Sequence, residues 1–216
     1  MEFTVRPEVK ILYPSAHFGS LIIHNQNNQK NHPDLEKAKR QLEEKIRETY
    51  PSPVEDDVIQ CYADYYGKWG KTYHIEFQVK SIKKGRGFPN VSTHVDSMFM
   101  AELENRILTS GHDADTVQGS LIYDLADDGE EYVKLNGKKQ VLLKNDIVLR
   151  DDEGVLASIL FGPAGRTSIT METVNPLFFA WCPIGITLEA VEAHLSTIQS
   201  YIEIIYGESK STKSII

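Results

Sequence analysis

Apolar residues recur with two different periods along this 216-residue chain, and the change from one to the other falls near residue 111. Upstream they return every three or four positions. Pro33 opens a helix, because its missing N–H costs nothing in a first turn, and Asp34 and Glu36 suit the positive end of the dipole. Leu35, Ala38, Leu42 and Ile46 then form one apolar stripe. Ser52-Pro53-Val54-Glu55 has capping-box spacing and starts a second stripe, Val54, Val58, Cys61, Tyr62, Tyr65 and Trp69, which ends near Gly70. Its aromatics suit either a core or a pocket wall. Residues 72–84 alternate like a strand through Tyr73, Ile75, Phe77 and Val79, yet Ile75, Val79 and Ile82 also fit a helix. Thr72 as a cap and Gly85 as a stop decide for the helix. Val95, Phe99, Leu103 and Ile107 mark another, ending before Gly111.

Downstream, short apolar segments alternate with turns rich in Gly, Asp and Asn. Strands are predicted at 121–123, 132–135, 140–143, 147–149, 155–161 and 177–181, with Asn136-Gly137 as a hairpin turn tolerant of positive φ. Leu188, Val191, Leu195, Ile198 and Ile202 give a last helix over about 187–206. Two more strands are expected at 9–13 and 20–24, followed by a polar loop at 25–31, and the tail from 208 to 216 should be loosely held. No internal repeat is evident, and no stretch rich in Pro, Gly or Ser separates two units. The expectation is one α+β domain over 1–216: helix-rich to about 110, strand-rich over about 111–185, with antiparallel-rich sheets packed against several helices.

Composition narrows the class. Apolar residues make up 41% and charged residues 25%, ordinary for a globular protein, and nothing approaches 18 consecutive apolar residues, so no membrane partner is expected. The first residues lack the basic start and apolar stretch of a secretory signal. Cys61 and Cys182 lie in apolar surroundings with no second cysteine nearby, which reads as free thiols in a reducing, cytoplasmic compartment. The net charge of −8 argues against a broad grip on nucleic acid, and residues 113–153 hold eleven acids against five Lys and Arg. One basic run, Lys80, Lys83, Lys84 and Arg86, could make a local RNA contact or be a solvated helix end.

Candidate chemistry is sparse. His112, Asp113 and Asp115 form the densest polar cluster; they suit proton transfer and amino-group binding, or equally the capping of a turn. Arg166 offers a planar fork for a carboxylate or phosphate, or a salt bridge to the acids of 124–153. Thr167 and Thr170 accompany it, and Asp96, Glu102 and Asn105 lie on the helix before Gly111. His94, Asp96, His112 and Asp115 match no metal-ligand spacing, and no Gly-x-Ser-x-Gly, P-loop or dinucleotide fingerprint occurs. No metal and no cofactor is expected.

Three local patterns carry a resemblance. They are Lys84-Gly85-Arg86-Gly87-Phe88-Pro89 followed by Val95-Asp96 and Asn105; Gly111-His112-Asp113-Ala114-Asp115 with Gly119; and Gly129-Glu130, Leu135-Asn136-Gly137 and Asp151 joined to Arg166-Thr167, Thr170 and Thr173. In order and spacing they resemble the B3/4 domain of the phenylalanyl-tRNA synthetase β subunit, especially its stand-alone members. The resemblance implies a proofreading hydrolase of mischarged aminoacyl-tRNA, with tRNA and an aminoacyl group as partners. It implies His112 and Asp113 as catalytic candidates, and Asp96, Asn105, Asp115, Arg166 and Thr167 as substrate-binding ones. A non-catalytic module holding a free amino acid or related metabolite in the same pocket is the alternative. Two positions depart from the synthetase pattern: its histidine a few residues before Asp113 has no counterpart beyond His112 itself, and Phe178-Phe179-Ala180-Trp181 stands where an acid is expected.

Overall fold

The structure, a computed structural model, describes residues 3–50 and 56–216. In chain order its helices are α1 (Pro7–Leu12), α2 (Pro33–Thr49), α3 (Asp57–Gly67), α4 (Ile75–Lys83), α5 (Thr93–Asn105) and α6 (Leu188–Tyr206). Its strands are β1 (Phe3–Val5), β2 (His17–Ile23), β3 (Thr109–Asp113), β4 (Leu121–Leu125), β5 (Glu131–Val133), β6 (Lys139–Val141), β7 (Ile147–Asp151), β8 (Gly154–Ser158), β9 (Gly162–Pro163), β10 (Pro176–Cys182) and β11 (Ser211–Ile215). The class is α+β, and the antiparallel pairings dominate.

One sheet, ordered β11-β2-β10-β3, is antiparallel throughout. Every residue of β10 is buried, which explains why its sequence is a continuous apolar run and not an alternation. The face beside β2 receives α6, whose Val191, Leu195, Ile198 and Ile202 are fully buried, each worth roughly 1.5–3 kcal/mol on leaving water. Gly19 permits this approach: a Cβ there would stand 2.6 Å from Val191 Cγ1. The second sheet, β1-β4-β7-β8-β9, starts with a parallel pair and continues antiparallel. Tyr123 of β4 joins the two layers, stacked on Phe18 with ring centres 4.0 Å apart and edge-on to Phe179 and Trp181. The two-stranded β5–β6 hairpin covers a small satellite core of Tyr132, Leu142, Val148 and Val155.

Several expectations change. Residues 9–13 belong largely to a short helix, α1, with Pro7 in its first turn; only Val9 of that helix is buried, so the run carries no strand face. The tail is paired, not loose: β11 adds to the edge of β2, and Ile216 and Phe18 exchange both backbone bonds. Residues 111–113 lie on strand β3. Helix α5 stops at Asn105, where Arg106 turns to a φ of 62°, so Ile107 packs from beyond its end. The capping box at Ser52–Glu55 lies outside the described residues; within them Asp56 caps α3, accepting from the Val58 and Ile59 N–H groups. Of Asn136 and Gly137 only Gly137 has positive φ, as in a three-residue hairpin loop closing with a bulge.

Candidate functional site

A cavity of about 900 Å³ opens between α4, α5, the outer edge of β3 and the β8–β9 turn. Its position follows from β3 being the sheet's last strand. Among the described residues no further strand lies beyond it, only an isolated bridge from His112 to Ser168, and β3 presents Thr109, Ser110 and Gly111 to a space lined by Met98, Phe99 and Ile169. Gly111 lets Ile169 and Met98 close on the strand, since a Cβ would stand 2.8 Å from Ile169 Cδ1 and 3.0 Å from Met98 Sδ. The walls are chiefly apolar and aromatic, with Tyr66, Phe77, Val95 and Phe161 among them.

Two polar groups break this lining. The first centres on Glu102, which is buried on α5, accepts the Thr109 N–H at 3.0 Å, and lies 3.6 Å from His74 Nε2. Burial opposes protonation of His74, but the hydrogen bond and charge of Glu102 outweigh it and hold the imidazole pKa above its usual value. The second centres on Ser110. Its Oγ accepts the Trp181 indole N–H at 2.9 Å and lies 3.1 Å from His112 Nε2, while His112 Nδ1 lies 2.8 Å from Thr167 Oγ1. His112 is fully buried behind Ser110. Burial, reinforced by the Arg166 charge and opposed by Asp151, depresses its pKa to about 3, so the imidazole is neutral at physiological pH.

Of the residues singled out from sequence, Glu102 lines this cavity, whereas the catalytic and substrate-binding candidates are scattered around it and none of them is among the lining residues. His112 and Thr167 are brought together, one layer behind it. Asp113 caps the short turn 114–116 through the Asp115 N–H and accepts from Thr173 Oγ1 at 2.7 Å; Asp115 accepts from the exposed side of Asn175. Asp96 is buried against Lys39 Nζ at 2.6 Å and also accepts the Val91 N–H. Asn105 bonds His194, whose other ring nitrogen holds Thr109 Oγ1 at 2.7 Å. Arg166 forks onto Asp151 at 2.5 and 3.0 Å and reaches Glu153. Burial alone would raise the Asp151 carboxyl, but Arg166 and two backbone N–H groups reverse this and hold it below the usual range.

The basic run lies at the exposed end of α4 and the turn after it. Lys80 approaches Glu76 at 3.6 Å and Lys83 donates to the Tyr50 carbonyl, while Lys84 and Arg86 are exposed. Lys80 also sits 5.8 Å from the ring of Phe77, an exposed aromatic on the cavity wall. Ser110, Thr109, His74 and Ser168, which supply polar groups to the cavity, carried no sequence signal of their own. Only the alternation Ser110, His112 on one strand face would have paired the first of them with its histidine. Among the described residues no three His, Cys, Asp or Glu side chains are placed to hold a metal ion, and no helix is long and apolar enough to cross a membrane.

The sequence model of the B3/4 domain matches residues 70–202, more than half of the chain. A phenylalanine–tRNA ligase β subunit from Wolbachia sp. subsp. Brugia malayi (strain TRS) is 37% identical over 95 residues, covering 42% of this chain and 12% of the relative. The corresponding subunit of Ehrlichia canis (strain Jake) is 27% identical over 143 residues, covering 62% of this chain and 16% of the relative. The chain therefore spans less than a fifth of the length of these curated relatives. Among solved structures, an N-terminal fragment of the phenylalanyl-tRNA synthetase β subunit from Pyrococcus horikoshii superposes over 97% of this chain and 50% of the fragment, with a TM-score of 0.51 at 15% identity, a likeness of fold.

Proposed function

This chain belongs to the B3/4 domain family, and on that footing we propose that it is an RNA-associated protein whose cavity takes the aminoacylated 3′ end of a tRNA and hydrolyses the ester in trans. The observation that carries this reading is the cavity's size and lining. Pockets of about 300–1,000 Å³ enclose drug-sized ligands, and an aminoacyl nucleoside is of that size whereas a free amino acid is much smaller. Phe77, Phe99 and Phe161 suit an apolar or aromatic acyl group, and the polar groups around Glu102 and Ser110 suit an ester and an ammonium. Exposed Phe77 beside Lys80 supports the RNA side of the reading, because an unpaired base stacks on such a ring while the ammonium meets its phosphate. With a net charge of −8 the contact is local, hence salt-sensitive. Residence in the cytoplasm, with Cys61 and Cys182 as free thiols, and a single domain over 1–216 belong to the same proposal.

The test is deacylation of several mischarged tRNAs, that for phenylalanine included, at low and physiological salt. Release above the no-enzyme rate, faster at low salt, is expected. No release from any of them sinks the reading. Glu102 favours a second one: it is the one acid among the lining residues and would pair the ammonium of a free amino acid. A binding module of that kind is stabilised thermally by an amino acid without RNA, and an amino-acid panel that leaves the melting temperature unmoved excludes it.

A further inference from the structure

We propose that His74 is the general base that sets water against an ester bound in the cavity, with Glu102 as the residue that positions its ring. This deepens the reading of the cavity as an ester site and rests on it. The two side chains come from different walls and meet. Glu102 reaches from α5 to the outer edge of β3, where its Oε1 accepts the Thr109 N–H at 3.0 Å. His74 stands at the head of α4, and its Nε2 lies 3.6 Å from the same oxygen, long as catalytic hydrogen bonds often are before substrate binds. All three residues line the cavity that opens between these elements, so imidazole and carboxylate atoms make the contact on its wall. The Glu102 side chain is 2% exposed and that of His74 40%, which leaves one edge of the ring against the acid and the other toward solvent. Tyr73, fully buried, meets the ring edge-on at 5.1 Å and fixes its plane.

With Nε2–H directed at Glu102, Nδ1 carries the lone pair. Among the described residues no hydrogen bond reaches Nδ1, and it is not sealed from solvent. Burial alone would lower the His74 pKa, but Glu102 holds it above the ordinary value, and an imidazole of that basicity takes a proton readily at neutral pH. The other titratable groups around it are Lys71, whose Nζ sits 4.6 Å over the Phe161 ring, and Tyr66 and Tyr73, whose hydroxyls burial keeps protonated. On its own helix Glu76 is taken up by Lys80. Phe77 follows His74 by three residues and shares its helix face, so an acyl group resting on Phe77 brings its carbonyl carbon toward the imidazole. In the reaction Nδ1 takes a proton from water as the water oxygen bonds to the acyl carbon. The bond from that carbon to the alcohol oxygen then breaks, the alcohol leaves with the proton from Nδ1, and the carboxylic acid departs.

The probe is ethyl phenylacetate, an alkyl ester with no ionising group and no RNA, incubated with the full chain and followed by release of phenylacetate. In the parent, kcat/KM should rise with pH and level off, with a midpoint above the ordinary imidazole value and equal to that of His74 in an NMR titration of the free protein. These two measurements need no variant to fold. His74→Gln should lower kcat/KM by about 100-fold, within the range for loss of a general base. Glu102→Gln removes the charge but keeps an acceptor for the Thr109 N–H, and should move the kinetic and NMR midpoints down together. A rate profile that does not follow the His74 titration, or His74→Gln at the parent rate, overturns the base; midpoints unmoved in Glu102→Gln overturn the role of the acid. If His74→Gln still cleaves aminoacyl-tRNA at the parent rate, the function stands and the base falls. If the small ester is cleaved through His74 and no aminoacyl-tRNA is, the base stands and the tRNA reading falls. Cleavage of neither overturns both.

Discussion

Asp96 and Lys39 meet at 2.6 Å with almost no solvent on either, and Asn90 and Glu36 complete the shell around the ammonium. Removing one partner of such a pair strands a buried charge, at a cost of about 3–5 kcal/mol, whereas replacing both with apolar groups of similar volume is often neutral. Asp96→Ala should therefore lower the unfolding free energy by that amount in urea titration, and Lys39→Met with Asp96→Leu should recover most of it. A single variant within about 1 kcal/mol of the parent would show that Asp96 is not the charge the pair depends on. The same logic separates stability from chemistry at the other candidates. Asp113, Asn105 and Arg166 have types that the sequence made conspicuous, but their partners Thr173, His194 and Asp151 are contributed by distant segments. Residue type was legible, and for Arg166 so was the acidic stretch 124–153 that supplies its partner; Thr173 and His194 as partners were not. Lys39 shows why, since it sits between the apolar positions Leu35 and Leu42 of an amphipathic helix and reads as a solvated charge until Asp96 is placed beside it.

The elements divide by what holds them. Helices α2, α4 and α6 bury apolar side chains that repeat with the helical period, and strands β4, β7, β8 and β10 are short apolar segments bounded by turns, so both kinds were legible. Strands β3 and β11 have the sequences Thr-Ser-Gly-His-Asp and Ser-Thr-Lys-Ser-Ile, and are held by the backbone ladder to a neighbour already in place. No local pattern announces that, and β3 is the strand that builds the cavity wall. For β11 the consequence is testable. Ending the chain after Tyr206 removes β11 and turns β2, buried through most of its length, into an open edge. The shortened chain should melt at least several degrees lower, since about 1 kcal/mol moves a chain of this size by roughly 2–4 °C, and should associate with itself at high concentration. An unchanged melting temperature and a monomeric elution would mean that the ladder adds nothing to the sheet.

For the molecule as a whole, three histidines buried in different places decide the response to acid. His94 on α5 has no hydrogen-bond partner for either ring nitrogen among the described residues, and burial holds its pKa down to about 4. Burial likewise holds His194 on α6 at about 3, and His112 at about 3 with Arg166 assisting and Asp151 opposing. In the unfolded chain each takes a proton near pH ~6.5. Their stabilising contribution is therefore complete above that pH and is lost as pH falls toward 4 and then 3, because the unfolded chain binds protons the folded one refuses. Asp146 runs the other way: burial raises its carboxyl from 3.8 to about 6, opposed by bonds from Ser158 and Tyr65, so acid relieves part of its cost within that window. His74, held up by Glu102, also favours the folded state below its folded pKa. Three against two between pH 7 and 5 leaves a net loss, each uncompensated proton being worth about 1.4 kcal/mol per pH unit. The urea midpoint should fall between pH 7 and pH 5, and His94→Leu, which removes one titrating ring without removing a bond, should fall less steeply. A midpoint level over that range, or an unchanged slope in His94→Leu, would place the acid limit elsewhere. Because His112 is already neutral across the same range, any loss of ester hydrolysis in acid that precedes the loss of the fold belongs to His74, not to the imidazole on β3.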